Sequence, residues 1–299
     1  MATRHTPSPR PPRSRRFDDA DWEPTEPPPH PVVDELIDEA VDDTPWSTYP
    51  AAGRGPTPVP DWVVTDPRAT DVDLGVVKTG KEAELSLVRR AVAAPDPDRG
   101  AATCLLAAKR YRAAEHRLFH RDAAYLEGRR VRKSREMRAM RNRTEFGRDL
   151  IAIQWAKAEF EVLATLWSCA AAVPYPVQLL GTELMMEFIG TPDGVAAPRL
   201  AEIRPDPRQA ADLYEQLVDV LGVLAAAGLA HGDLSPYNVL VDRGRLVLID
   251  LPQVVDVVGN PQGFEFLRRD CVNISAWFRA RGVDADPDVL AGHLSTLVT

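Results

Sequence analysis

The sequence predicts an α+β protein in two lobes, an antiparallel sheet carrying one helix and then a mainly helical half, behind a disordered N-terminal tail. Three observations predict it. Proline punctuates residues 1–60 in the strings PSPRPPR, EPTEPPPHP and GPTPVPDW. From about Asp61 short apolar runs alternate with polar positions between turn-forming strings, which is the period of half-buried strands. Beyond Ile151 the apolar residues recur at helical spacing.

In order along the chain, residues 1–60 hold few apolar residues at any period, too few to offset the entropy of ordering them. A short amphipathic piece at Val33 to Val41 is the one candidate there for a docked helix. Leu74 to Val77, Ala83 to Arg89 and Cys104 to Tyr111 read as strands, separated by TGKE and by APDPDRG. A charged, helix-compatible insert near residues 112–148 follows, and then a helix over Ile151 to Cys169 that ends before Pro174. The string ELMMEFIG is a further strand, with the seam between lobes near Ile189 to Gly194. These boundaries give an N-lobe over 61–190 and a C-lobe over 191–299. In the second lobe Pro207 to Ala227 reads as a helix stopped by Gly228 as its C-cap.

Composition bounds the function classes. The chain has 299 residues, 44% of them hydrophobic, enough for an ordinary core. No run of about 18 apolar residues occurs, and the basic N-terminus has no apolar segment after it, so a cytoplasmic, non-membrane protein is expected. Cys104, Cys169 and Cys271 are odd in number and far apart, which fits buried thiols in a reducing compartment and not a disulfide frame or a metal knuckle. The net charge of −8 is segregated: arginines without acids over 1–16, Asp and Glu over 18–43, arginines again over 117–148. The acidic run could fold back on the basic one, or both are solvated.

Chemistry concentrates in LAHGDLSPYNVLVDRGRLVLID, Leu229 to Asp250. Val239 to Val241 and Arg245 to Ile249 flank Asp242-Arg243-Gly244, a hairpin signal. Closing that hairpin brings Asn238 and Asp250 to its open end. An amide oxygen beside a carboxylate is a hard-oxygen pair suited to Mg²⁺, and Asp233 lies in the loop facing the same place. One Asp to accept a proton, with Asn and a second Asp for metal, is the pattern of phosphoryl transfer. His231 is expected to brace the backbone. A site of this kind needs a lysine and a glutamate upstream, and Lys109 in LLAAK and Glu159 in WAKAEF are available. ELMMEFIG would then connect the lobes, with Met185 or Met186 near the adenine and the backbone of Glu187 and Ile189 on its edge. Upstream, GVVKTGKEAEL fits the phosphate-loop pattern until Glu82, which stands where a hydroxyl should hold magnesium.

These residues resemble the RIO family of atypical serine/threonine protein kinases. The strings that carry the resemblance are TGKEAEL, AAKRY, WAKAEFEVL, LMMEFIG, HGDLSPYNVLV, LVLIDLPQVVD and EFLRRDCVNISAWF, spread over about residues 70–280. The long basic insert after the lysine strand is similar to the RIO1 branch, of bacterial type, while LIDLPQVV is closer to RIO2. The resemblance implies a two-lobed protein-kinase-like fold with a reduced C-lobe, and ATP with Mg²⁺ or Mn²⁺ as cofactors. It implies Asp233 as catalytic aspartate, Asn238 and Asp250 as metal ligands, and Lys109 as the phosphate-contacting lysine with Glu159 as its partner. Thr79, Gly80, Lys81 and Glu82 would form the phosphate-covering turn. Asp250 has been proposed in the family to accept a phosphoryl group, which would make the protein an ATPase-like switch as well as an autophosphorylating kinase. Pro236 and the pair Leu251-Pro252 vary the pattern near the site.

The 49 residues after Asp250 contain neither D-F-G nor A-P-E, so the activation segment and peptide-docking region of ordinary protein kinases are not expected. The basic segment Arg129 to Arg148 is the candidate contact for acidic protein or for RNA, ribosomal RNA included, and Ser134 within it is a candidate autophosphorylation site. Two other classes share parts of the pattern. One is a small-molecule phosphotransferase of the aminoglycoside or choline kinase type, and the other a nucleotide-gated assembly factor that binds a ribosomal or other partner.

Overall fold

A computed structural model describes residues 45–94, 100–112 and 145–298, without the side chains of 145–149. Six strands form one antiparallel sheet in the order β1-β5-β6-β4-β3-β2. They are β1 (Gly53–Arg54), β2 (Thr70–Thr79), β3 (Ala83–Ala91), β4 (Thr103–Tyr111), β5 (Pro176–Leu180) and β6 (Glu183–Glu187). Helix α1 (Glu145–Ser168) crosses between β4 and β5 in sequence and packs on β4, β5 and β6. The second lobe holds α2 (Pro207–Ala226), the pair β7 (Leu229–Ala230) and β10 (Val255–Asp256), the hairpin β8 (Val239–Asp242) and β9 (Arg245–Leu248), then α3 (Gly263–Arg279) and α4 (Pro287–Leu297). This is the two-lobed α+β architecture expected. Among the described residues no helix is long and apolar enough to cross a membrane.

Local chemistry explains the strongest elements. α2 starts where Asp206 accepts from the amides of Arg208 and Gln209, both at 2.9 Å, with Gln209 reaching back to the Asp206 amide and Pro207 in the first turn. It stops at Ala226, and Gly228 takes φ +72°, the left-handed C-terminal geometry that glycine adopts without strain. The β8–β9 turn is tighter than the three residues expected: Asp242 pairs with Arg245, and Arg243 and Gly244 at its tip have φ +48° and +80°. Two positive-φ residues are what a two-residue hairpin demands.

The sheet has two differently used faces. Leu106, Ala108 and Met185 join Tyr49, Val63, Val64, Val88, Tyr175 and Val177 in one cluster. Ala107, Leu184 and Met186 point the other way, into a core that runs through α1 (Val162, Leu163, Leu166) to Leu217, Leu234, Leu248 and Phe278 of the second lobe. The alternation is the strand period of two.

Two expectations change. The tail does not extend to residue 60. Residues 45–47 lie beside 69–71, with the Ser47 amide donating to Ala69 O at 2.8 Å and the Asp71 amide to Pro45 O at 3.1 Å. Tyr49 is buried, β1 pairs with β5, and Gln178 Nε2 donates to Thr48 Oγ1 at 2.7 Å. Prolines here punctuate a strap bound to the sheet edge; the helix candidate at 33–41 lies outside the described residues. The second change is β5, which alternation does not signal because it is five residues long and begins with Pro176.

Candidate active site

The hairpin register does what its sequence promised. Val239 faces Leu248, and the Ile249 amide donates to Asn238 O at 2.9 Å, which sets Asn238 beside Asp250 at the open end. Asn238 Nδ2 donates to Asp233 O at 2.8 Å, so the amide is oriented and its Oδ1 points away from that carbonyl. Asp250 has φ +65°, a left-handed conformation that costs an ordinary residue on the order of 1 kcal/mol. Asp233 is exposed at the loop between Ser235 and His231. His231 is buried and braces the backbone as expected: Nε2 lies 3.1 Å from Ile249 O, and Nδ1 accepts from the Asp233 amide at 3.4 Å.

The loop is also held from below, by a residue to which the sequence pattern gave no role. Asp270 of α3, 2% exposed, accepts from the amides of Gly232 at 2.7 Å and Leu234 at 3.0 Å, the two neighbours of Asp233. Arg269 donates to Gly232 O. Gly232 has φ +80°, and a Cβ there would stand 2.4 Å from Gln253 O, so no other residue fits. The available signal was a carboxylate on the apolar stripe Leu267, Cys271, Ile274 and Phe278, since an acid among core positions needs partners.

Lys109 and Glu159 come together across the lobe. Lys109 Nζ donates to Glu159 Oε1 and to Asp250 Oδ1, each at 2.8 Å. Glu159, 1% exposed, also accepts from the Leu251 amide at 3.2 Å and from the Tyr111 hydroxyl. One carboxylate therefore ties α1, β4 and the segment after β9. Burial alone would lower the Lys109 ammonium, but Glu159 and Asp250 outweigh it and hold the group above the usual lysine range. Burial alone would raise Asp250, and Lys109, with His231 and Lys78, holds its carboxyl below the usual range. Lys78, not singled out from sequence, belongs to this neighbourhood. Burial first and Arg199 next lower its ammonium, with Asp250 opposing.

Thr79, Gly80, Lys81 and Glu82 form the β2–β3 turn, closed by the Gly80 amide donating to Ala83 O at 2.9 Å. Ala83 pairs with Tyr111, two residues from Lys109, so the turn stands at the lysine's end of the sheet. It leads from strand to strand and not into a helix. Of the two methionines, Met186 pairs with Ala107 on the Lys109 face, whereas Met185 points to the far face, where its sulfur accepts from Arg90 Nη2 at 3.5 Å. The strand period thus puts Met185 on the face away from Lys109, so of the two methionines expected beside the nucleotide only Met186 shares the lysine's face. The Glu187 amide donates to Tyr175 O at 2.9 Å and the Ile189 carbonyl accepts from the Ala197 amide at 3.0 Å, bonds that account for the amide of the first residue and the carbonyl of the second.

The donor set fits a divalent cation. Asn238 Oδ1 and an Asp250 side chain that is 46% exposed are hard oxygens at one end of the hairpin. Among the described residues no three His, Cys, Asp or Glu converge on a metal position, so an ion held by Asn238 and Asp250 would have to complete its shell with water and substrate phosphate, as Mg²⁺ commonly does. The segment Arg129 to Arg148 and Ser134 lie outside the residues whose side chains are described.

A family model described as the RIO domain matches residues 104–290, a span that takes in Lys109, Glu159, Asp233, Asn238, Asp250 and Asp270. Over 136 residues the chain is 43% identical to the RIO-type serine/threonine-protein kinase Rio1 of Haloferax volcanii, covering 46% of each chain. It is 34% identical over 146 residues to the protein of the same name from Thermoplasma acidophilum, covering 49% of this chain and 74% of that one. The serine/threonine-protein kinase RIO1 of Caenorhabditis elegans is 38% identical over 137 residues, covering 46% and 26%. The chain thus spans less than half of the Haloferax protein's length and about a quarter of the Caenorhabditis one.

Proposed function

The chain belongs to the RIO-domain family of kinases, and we propose that it is a RIO-type serine/threonine protein kinase or ATPase that uses ATP with Mg²⁺. Kinases of this family use ATP and a divalent cation in general; the choice of Mg²⁺ rests on the oxygen pair Asn238 and Asp250. The observation that carries the proposal is Lys109 Nζ held at 2.8 Å from both Glu159 Oε1 and Asp250 Oδ1, because it joins the phosphate-contacting lysine to the metal aspartate across the cleft.

The bound nucleotide and its cation supply the transferable phosphoryl group and neutralise its charge. The protein's share is placement and one proton. Glu159 fixes the direction of Lys109, the β2–β3 turn lies above, and Glu187 O and Ile189 N stand as acceptor and donor for the adenine edge. Asp233 accepts the proton of the attacking hydroxyl or water, and its loop is anchored by Asp270 and His231 so that its carboxylate keeps one position.

Incubation with ATP and Mg²⁺ followed by mass spectrometry tests the proposal, since phosphate on a serine, on Asp250 or on a copurified protein distinguishes the routes. Asp233→Ala should retain nucleotide binding and lose roughly 10²- to 10⁴-fold in turnover, the range for a positioned general base. Normal turnover in that variant would refute the role. Transfer to aminoglycosides or choline but to no protein would overturn the kinase assignment.

A further inference from the structure

The end of β6 departs from the ladder it belongs to. The Tyr111 amide donates to Thr182 O at 3.0 Å, which marks Tyr111 and Thr182 as a hydrogen-bonded pair. Such pairs alternate along an antiparallel ladder. Counting through Lys109↔Leu184 and Ala107↔Met186 makes Leu106↔Glu187 a non-bonded pair, so the main-chain amide of Glu187 turns toward Tyr175, the residue just before β5. There the Glu187 amide donates to Tyr175 O at 2.9 Å. The return bond of a regular pair would run from the Tyr175 amide to Glu187 O. Instead the Tyr175 amide donates to Glu187 Oε2 at 3.1 Å. Pro176, next along, has no amide to offer.

We propose that the Glu187 side chain is a selectivity-determining positioning residue: by holding the Tyr175 amide it keeps its own main-chain carbonyl out of the sheet and so available to the 6-amino group of adenine. This rests on the proposed nucleotide site. It explains why an acid ends an apolar strand at a half-buried position, where burial raises its carboxyl and the Tyr175 amide draws it back down. Two residues on, the bond from the Ala197 amide to Ile189 O leaves the Ile189 amide as the matching donor for the ring nitrogen. Ala107 and Met186 supply the apolar surface beside that edge.

The test is equilibrium binding by calorimetry of the full chain with Mg²⁺, comparing ATP with purine riboside triphosphate, which lacks the 6-amino group. Wild type should prefer ATP roughly five- to tenfold, the worth of one net hydrogen bond. Glu187→Gln, which keeps an acceptor for Tyr175, should retain that preference. Glu187→Met keeps length and apolar volume without the acceptor, and should bind the two nucleotides within about twofold of each other. If the Met variant does not fold, Glu187→Asp, too short to reach the Tyr175 amide, carries the same expectation. Wild-type discrimination surviving in the Met or Asp variant, or lost in the Gln variant, overturns the proposal. Absence of nucleotide binding by the wild type would overturn the proposed function and this inference together.

Discussion

Burial acts on Lys109 and on Cys271 in the same sense, against the charged form, and the outcomes differ because of what stands beside each. Lys109 has two carboxylates within 2.8 Å, so its charge survives. Cys271, fully buried on α3, has burial first and the adjacent Asp270 next to raise it, against a smaller opposing pull from a backbone hydrogen bond, and its thiol is pushed up to about 12. The folded thiol therefore keeps its proton where an unfolded one, near pKa 8.5, loses it. A raised pKa stabilises the fold fully below about pH 8.5, and that contribution erodes as pH climbs from there toward 12. By pH 10 the loss should be on the order of 1–2 kcal/mol. Urea midpoints at pH 7.5 and 10 should show it, and Cys271→Ala should flatten the alkaline slope. An unchanged slope in that variant would assign the alkaline loss elsewhere.

Among elements, the β8–β9 hairpin and α2 were legible because their determinants are local: Asp242-Arg243-Gly244 between two apolar runs, and Gly228 at the end of a helical run. Loop support by α3 was not, because Asp270 meets its partners 38 and 36 residues away, a distance at which only the fold decides what an acid touches. Met185 and Met186 show the intermediate case. The strand was evident, and its phase had to come from the pairing with β4. The anchoring role gives a prediction for Asp270→Asn. The amide can accept one of the two backbone donors and must turn its NH₂ toward the other, which leaves a buried N–H unsatisfied at a cost of about 1–3 kcal/mol. Since both donors flank Asp233, kcat should fall by roughly tenfold or more while KM for ATP stays within about twofold, a transition-state loss without a binding loss. A rise in KM with kcat intact would place Asp270 in nucleotide binding instead.

At the scale of the whole molecule the sheet separates two tasks. Its Lys109 face builds the site and joins the second lobe, and its other face carries a core of its own. The strap at 45–54 closes that second core, although its prolines argued for a tail; the groups that receive it are far away, Gln178 being 130 residues from Thr48. Tyr49, 4% exposed, sits in it beneath Arg90, whose guanidinium carbon lies 5.4 Å from the ring centroid. Arg90 is itself fully buried and held by Asp71 at 2.7 and 2.9 Å and by Gln178 at 2.7 Å. Removing the ring takes away core volume and one wall of a buried cation, so Tyr49→Ala should cost about 3–5 kcal/mol. Tyr49 and Lys109 stand on opposite faces and share no partner, and substitutions so separated act independently. ATP affinity of the folded variant, measured well below its melting temperature, should therefore match wild type within about twofold. A large loss of affinity with little loss of stability would mean that the strap signals through the sheet to the nucleotide site.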